Sequence, residues 1–319
     1  MGSRATPDSL SISVVIPVYN DPEGLADTVD SLLAADAGDG DEIIIADNGS
    51  SDGTRETARS YADDHPDRVA AVCEDQIQGS YAARNRGIDE AGGNILCFVD
   101  ADMSVPRNYF DAVRKQFADG DVDYLACDVR LTASDTNLGS LYNCATGFPI
   151  RDYLQRGHYA PTCCLCIHRR VLEQIGPFDD RLESGGDMEF GKRAHDAGLR
   201  QRFAPEITLD HPARNRLRAL LAKERRIGRG HAQLSHYHPR RFSLLRTLYL
   251  TPWKYLLPHN PVTFFRRCRD RSIDVGPATL LVLILWRIPR AWAGLLSYLG
   301  EARRLRNTEI ATPEIESPR

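Results

Sequence analysis

Lysine is nearly missing from this sequence. Only Lys115, Lys192, Lys223 and Lys254 stand among 40 basic residues, and aspartate outnumbers glutamate about two to one. Such a balance suits a high-salt or GC-rich host, because in concentrated salt a carboxylate-rich surface stays hydrated while its self-repulsion is screened. A clean membrane span is also missing: crossing a bilayer takes about 20 apolar residues, and the longest uninterrupted run, Ala278 to Trp286, gives way to Arg287, Pro289 and Arg290. No secretory signal opens the chain, since residues 1–10 are polar and the first apolar run, Ile12 to Val18, has the length of a strand. The eight cysteines show no zinc-ribbon or thioredoxin-type spacing, and Cys163, Cys164 and Cys166 crowd too closely for a regular four-ligand site. They read as reduced, partly buried thiols, which fits a cytosolic face.

What is present is enough for a full core. A chain of 319 residues with 42% hydrophobic content accommodates one large domain and an appendage, and disorder is excluded. Charge is unevenly spread. Residues 212–271 hold 15 Lys and Arg against only Glu224 and Asp270, an excess of 13, which leaves −17 elsewhere in a chain of net charge −4. An acidic body joined to a basic, aromatic-containing tail points to a soluble catalytic part and a segment that meets an anionic surface, either lipid headgroups, as at an anionic membrane, or a polyanion. Nucleic acid is not the expected partner, because the basic region carries no recognised binding module and the body is acidic.

The first half alternates β-branched runs with helical spacing. Ser13–Pro17, Glu42–Ala46, Val69–Val72 and Ile95–Val99 are short apolar runs bounded by turn residues, as buried parallel strands are. Between them Pro22–Ala35, Asp52–Asp64 and Ser80–Ala91 are spaced as helices, so the expected body is a parallel sheet covered on both faces. Ligands in such sheets lie at the carboxyl ends of the strands, where Asp47, Asp100 and Asp102 fall. Residues 120–210 are less regular, with a loop from Arg156 to Cys166 and a helix near Asp187–Ala197. After Pro212 come a basic helical segment, Phe242–Leu257, and an interfacial or re-entrant helix over 277–299. The expected division is a disordered 1–10, a catalytic domain 11–215, a basic and apolar helical extension 216–302 and a flexible tail 303–319.

Phe98-Val-Asp100-Ala-Asp102 ends an apolar strand with two carboxylates that an extended backbone points the same way, so both can serve one divalent cation and its diphosphate. Alone, Asp-x-Asp is an ordinary turn pattern. Here it follows Val14-Val-Ile-Pro17-Val-Tyr19-Asn20, then Ala46-Asp47-Asn48-Gly49-Ser50-Ser51-Asp52-Gly53, then Gly79-Ser-Tyr-Ala-Ala-Arg84-Asn85-Arg-Gly87. Over residues 11–215 the series resembles the family 2 inverting glycosyltransferases. That resemblance implies the GT-A fold, a Rossmann-like α/β architecture with a mostly parallel sheet flanked by helices, here with a C-terminal helical, membrane-proximal extension.

The resemblance also implies roles. Pro17 and Tyr19 would wall the nucleobase, the ring offering a stacking face. Asp47 would accept a hydrogen bond from uracil, Arg84 would help hold the nucleotide, and Asp100 would meet the ribose. Asp102 would bind Mg²⁺ or Mn²⁺ beside the two phosphates, hard oxygen ligands suiting those ions better than zinc. His211, in Asp210-His211-Pro212, would add a metal ligand. In Glu183-Ser-Gly-Gly186-Asp187-Met-Glu189, Asp187 matches the catalytic base that deprotonates the acceptor hydroxyl. Gly186 replaces the acid usual before it, leaving Glu183 or Glu189 as a substitute neighbour.

Downstream, Lys223-Glu-Arg225-Arg226-Ile-Gly228-Arg229-Gly230-His231 clusters cations suited to a donor diphosphate or a lipid phosphate, while His236 and His238 read as loop residues. The function expected is metal-assisted transfer of a sugar from a nucleotide diphosphate sugar, a UDP-sugar first, to a lipid-linked or polymeric glycan acceptor at the cytoplasmic membrane face. The competing readings are a nucleotide-sugar-binding protein that has lost catalysis, motivated by Gly186, and a nucleotidyltransferase. The latter is disfavoured because Pro17-Val-Tyr19-Asn20 is unlike a triphosphate-binding loop.

Overall fold

The computed structural model describes residues 10–251 and 253–311 and divides the chain into two compact units. The expected disorder of 1–10 therefore falls, apart from Leu10, outside the described residues.

The first unit takes in residues up to Thr132 together with Gly147–Asp180 and Gly186–Pro212. Its strands are β1 (Ile12–Val18), β2 (Glu42–Asp47), β3 (Val69–Cys73), β4 (Ile95–Phe98), β5 (Tyr124–Thr132), β6 (Leu165–His168) and β7 (Gln201–Pro212). They form one sheet in the order β3-β2-β1-β4-β6-β5-β7. The first four strands are parallel, as their apolar runs required, and every residue of β1 is buried. Short helices Pro22–Leu33, Thr54–Asp64 and Ser80–Glu90 make the crossovers. The first is capped by its own turn: the Asp21 carboxylate accepts from Gly24 N–H at 3.0 Å, and Pro22 opens the helix.

Strand β6 runs antiparallel to both β4 and β5, and β7 pairs parallel with β5 across a bulge at Cys127/Asp128. These three strands occupy the stretch whose sequence looked irregular. The segment expected as a loop, Arg156 to Cys166, contains the end of the helix Ile150–Gly157 and the start of β6. The cysteines are free thiols, and Cys97, Cys127, Cys163, Cys164, Cys166 and Cys268 are buried.

The second unit comprises Ala133–Thr146, Arg181–Gly185 and the chain from Ala213 on. It is helical: Leu138–Thr146, Leu217–Tyr237, Pro239–Tyr249, Trp253–Leu256, Pro261–Asp270, Pro277–Leu285 and Arg287–Ala311. Two early segments join it, although the sequence placed both within 11–215. The reason is long-range: Asn143 accepts from Arg214 N–H at 2.7 Å, Gln233 accepts from Glu183 N–H at 2.8 Å, and Glu183 pairs with Arg229. His236 lies within the helix Leu217–Tyr237 and His238 at its end, so the pair does not form the expected loop.

The apolar C-terminal segment, expected as an interfacial or re-entrant helix over 277–299, is helical and runs further than that. Pro277–Thr308 is continuous enough to count as one helix of 32 residues, long and apolar enough to cross a membrane. Pro289 does not break it, because it sits in the first turn of Arg287–Ala311, where a missing N–H and a fixed φ are tolerated. The helix passes Ala302, where the tail was expected to begin, and its last turns carry the Glu301–Arg304 pair.

This helix packs on Leu217–Tyr237 by close backbone approach. A Cβ at Gly228 would stand 2.2 Å from the Gly294 carbonyl oxygen, a distance that no side chain tolerates. Gly228→Ala is therefore expected to destabilise the second unit by about 1–3 kcal/mol through overpacking. Amide exchange should accelerate across 287–308 and hardly change in β1 to β4; protection unchanged in the C-terminal helix would refute the close-packing argument.

Candidate active site

The expected nucleotide residues collect at the carboxyl ends of β1, β2 and β4. Strands β2 and β4 flank β1, with Val18 opposite Asp47 and Val15 opposite Phe98, so the loops that follow these strands emerge side by side. Pro17 is buried at the end of β1, whereas Tyr19 is exposed and offers its ring to solvent. Asn20 takes a positive φ of 51° and binds the neighbouring loop: its N–H donates to Ser50 Oγ and its side-chain oxygen accepts from Ser51 N–H, both at 2.9 Å.

Asp47 is buried and held by Arg55, whose Nε donates to its carboxylate at 2.9 Å. Arg55 also reaches Asp75 at 2.8 Å, and Cys73 lies against both acids. Burial, reinforced by Asp75, pushes the Cys73 thiol up to about 11, so it stays protonated beside the carboxylates. Asn48 fixes the next segment by donating to the carbonyls of Glu74 and Ile77 and accepting from Gly79 N–H at 2.6 Å, directly ahead of the helix Ser80–Glu90.

That helix carries Tyr81 and Arg84. Arg84 is 3% exposed, pairs with Asp100, donates to the Ser80 carbonyl at 3.2 Å and lies 5.7 Å from the Tyr81 ring centroid. Its Nε is buried with no hydrogen bond. A guanidinium so placed is no surface pair, and leaving an N–H unsatisfied costs free energy unless a ligand meets it.

Asp102 adopts φ 87°, an unusual conformation for a non-glycine residue and the kind of strain that gathers at functional sites. Its N–H donates to the Gly24 carbonyl at 3.1 Å, and Met103 N–H to Thr28 Oγ1 at 3.0 Å. Two reciprocal 2.9 Å bonds between Ser104 and Asp210 lock this turn onto β7. The same lock brings His211 to Asp102, with Nε2 3.9 Å from Oδ1. His211 is buried, rests against Phe148, and sets Nδ1 2.9 Å from the Pro212 carbonyl oxygen. A proton on Nδ1 then leaves the Nε2 lone pair facing Asp102, the arrangement that suits a metal-ligating imidazole.

Among the described residues no group of three or more His, Cys, Asp and Glu gathers as a metal cluster. Asp102 and His211 therefore fit only a cation that completes its shell from elsewhere. Mg²⁺ or Mn²⁺ held by one or two side chains plus substrate phosphates is such a cation.

Asp187 stands in the first turn of the helix Gly186–Asp196, where the helix dipole favours a carboxylate. Its Oδ1 accepts from Met188 N–H at 2.9 Å, and its own N–H donates to the Tyr81 hydroxyl at 3.2 Å. Burial first, with the negative field of Asp187 added, raises the phenols of Tyr124 and Tyr159, so both stay neutral. The approach loop is tied to the Tyr81 helix by Asn85, which donates to the Phe178 carbonyl at 2.9 Å and accepts from Phe178 N–H at 3.1 Å. Tyr81, Arg84, Asp100 and Asp187 thus form one linked series, with Asp102 two residues beyond Asp100.

Glu183 and Glu189 do not take the place of the missing acid. Glu189 is buried and grips Arg193 through both oxygens, while Glu183 belongs to the second unit and pairs with Arg229. Gly186 has a physical reason: a Cβ there would lie 2.7 Å from Tyr81 Cζ. Tyr81 and Arg55 were not singled out from the sequence. The signal for Tyr81 was its i,i+3 spacing from Arg84; nothing local marked Arg55.

Comparison with known proteins places the sequence in a family. Residues 13–176 match the model of glycosyl transferase family 2, and residues 95–298 that of glycosyl transferase family group 2. The chain is 32% identical to glycosyltransferase AglE of Haloferax volcanii over 295 residues, covering 90% of this chain and 96% of the relative. It is 37% identical over 101 residues to an undecaprenyl-phosphate 4-deoxy-4-formamido-L-arabinose transferase of Pectobacterium carotovorum, 31% of each chain. Among solved structures, a Pyrobaculum calidifontis mannosyltransferase in complex with GDP-Man and Mn²⁺ superposes with TM-score 0.59 at 20% identity, covering 96% of this chain and 90% of that one.

Proposed function

The chain belongs to glycosyl transferase family 2, and on that premise we propose that it moves a sugar from a nucleotide diphosphate donor to a lipid-linked or polymeric glycan acceptor, with inversion and with metal assistance. The linked series Asp187–Tyr81–Arg84–Asp100, ending beside Asp102 and His211, carries this reading.

Each residue has one task. Tyr19 presents its exposed ring to the base, and Asp47 reads the base edge from a position that Arg55 fixes. Uridine is the base proposed; guanosine, carried by the ligand of the Pyrobaculum enzyme, is the alternative. Asp100, oriented by Arg84, meets the ribose. Asp102 and His211 would hold the cation, which would offset the charge that builds on the departing diphosphate. Asp187 takes the proton of the acceptor hydroxyl as its oxygen attacks the anomeric carbon and the bond from that carbon to the diphosphate oxygen breaks.

Support for a membrane-bound acceptor comes from the second unit. Leu281, Leu285, Trp292, Leu296 and Leu299 are exposed and fall within about 60° of arc at 3.6 residues per turn. Arg290 lies about 150° from the middle of that arc, paired with Glu224. An apolar stripe along one side of a helix, with charges opposite, favours a helix lying in the membrane interface over one that spans it. Undecaprenyl phosphate in the name of one relative points to the same acceptor class, and the cytoplasmic face is the proposed location.

The test is a thermal-shift series with UDP- and GDP-sugars, with and without manganese. A donor at about 100 times its Kd should stabilise the fold by about 2.7 kcal/mol. Asp102→Ala should remove the manganese-dependent part of the shift. Were no nucleotide sugar to raise Tm, or were the variant to respond to manganese like the parent, the proposed donor site would be refuted.

A further inference from the structure

A groove of about 390 Å³ lies within the second unit, between Leu217–Tyr237, Pro239–Tyr249 and the C-terminal helix. Leu250, Tyr298 and Leu299 are among its apolar walls, and His236, Arg246 and Arg306 add cationic or polar groups. No acidic residue lines it. The nearby carboxylate of Glu301 is already taken by Gln233 and Arg304, so it does not neutralise these arginines.

The groove is built rather than incidental. Tyr298 stacks on Tyr249 with centroids 4.2 Å apart and planes within 7°. Tyr249 is fixed in turn by His231, 3.0 Å from its hydroxyl, and by Tyr255, whose hydroxyl donates to the Tyr249 carbonyl at 2.6 Å. Leu250 and Leu299 remain exposed, and Leu299 belongs to the lipid-facing stripe, so the groove opens onto the surface proposed to meet the membrane. Arg246 and Arg306 are exposed as well.

We propose that this groove binds the lipid phosphate of the acceptor, the apolar walls taking the first part of a single isoprenoid chain and Arg246 and Arg306 gripping the phosphate. The proposal rests on the lipid-linked acceptor reading above. Guanidinium groups suit a phosphate because they present paired donors in a fixed plane. One chain rather than two is favoured by size, since the volume is near the lower end of the roughly 300–1,000 Å³ typical of ligand pockets.

The experiment is flotation of the full chain with neutral phosphatidylcholine vesicles doped with a polyisoprenyl phosphate, with the matching polyisoprenol, or with phosphatidylglycerol at equal surface charge. Saturable binding to the polyisoprenyl phosphate vesicles is expected to be tighter than the background binding that the apolar stripe and the basic residues give with the other two. Arg246→Gln and Arg306→Gln, both surface changes, should each weaken it about tenfold, the equivalent of about 1.4 kcal/mol. Equal binding to phosphatidylglycerol, no binding to any vesicle, or wild-type binding by both variants would overturn the site. The nucleotide-sugar melting shift, measured on the same preparation, reports on the donor site alone. Loss of one signal without the other shows which reading has failed.

Discussion

Asp187→Asn is expected to lower transfer by about 10²–10⁴-fold, the range that a positioned general base contributes, with almost no change in Tm. The asparagine keeps the size of the side chain and still offers an oxygen to Met188 N–H, while the bond from backbone N–H 187 to the Tyr81 hydroxyl does not involve the side chain at all. What disappears is the proton acceptor. The neighbouring phenols of Tyr124 and Tyr159 offer no replacement, because burial holds both neutral. Glu189 offers none either, its two oxygens being committed to Arg193. Donor binding should survive, so the nucleotide-sugar melting shift separates a catalytic loss from a folding loss. Transfer within a few fold of the parent enzyme would remove Asp187 from the mechanism, and a matching fall in Tm would make its role structural.

The parts of this protein that were legible in the sequence are those whose physics is local. Strands β1, β2 and β4 are buried almost throughout and β3, at the sheet edge, only in part, and Ile12–Val18, Glu42–Asp47, Val69–Cys73 and Ile95–Phe98 are mostly apolar runs cut off by turn residues. The later strands have no such mark. Strand β7 opens with Arg202, Pro205 and Glu206 and alternates only over Ile207–His211, and β6 is four residues long, too short for a period to stand out. The division into units escaped for a similar reason: Asn143 and Glu183 join the second unit through bonds to Arg214 and Gln233, far along the chain. Within the site, Asp47, Asp100 and Asp102 stood out because strand ends present them. Tyr81 did not, because what it does depends on a residue 106 positions away.

That long-range contact also sets the second large expectation. Restoring the usual acid with Gly186→Glu should damage the enzyme rather than improve it. A Cβ at this position would meet the Tyr81 ring at 2.7 Å, and the ring has little room to retreat, since it packs against Phe178 with centroids 5.8 Å apart. Phe178 is itself pressed against Phe98 and Phe190. Overpacking of this kind costs about 1–3 kcal/mol. If the ring moves, the hydroxyl that receives the Asp187 N–H moves with it, and a displacement of about 1 Å at a catalytic group can lower the rate about 100-fold. A lower Tm and a similar fall in kcat are therefore expected together. Because the two side chains compete for one space, Tyr81→Ala in the Gly186→Glu background should recover much of the lost Tm, giving a non-additive double-mutant cycle. Strict additivity, or a Gly186→Glu enzyme faster than the parent, would show that Tyr81 does not occupy the place of the absent acid.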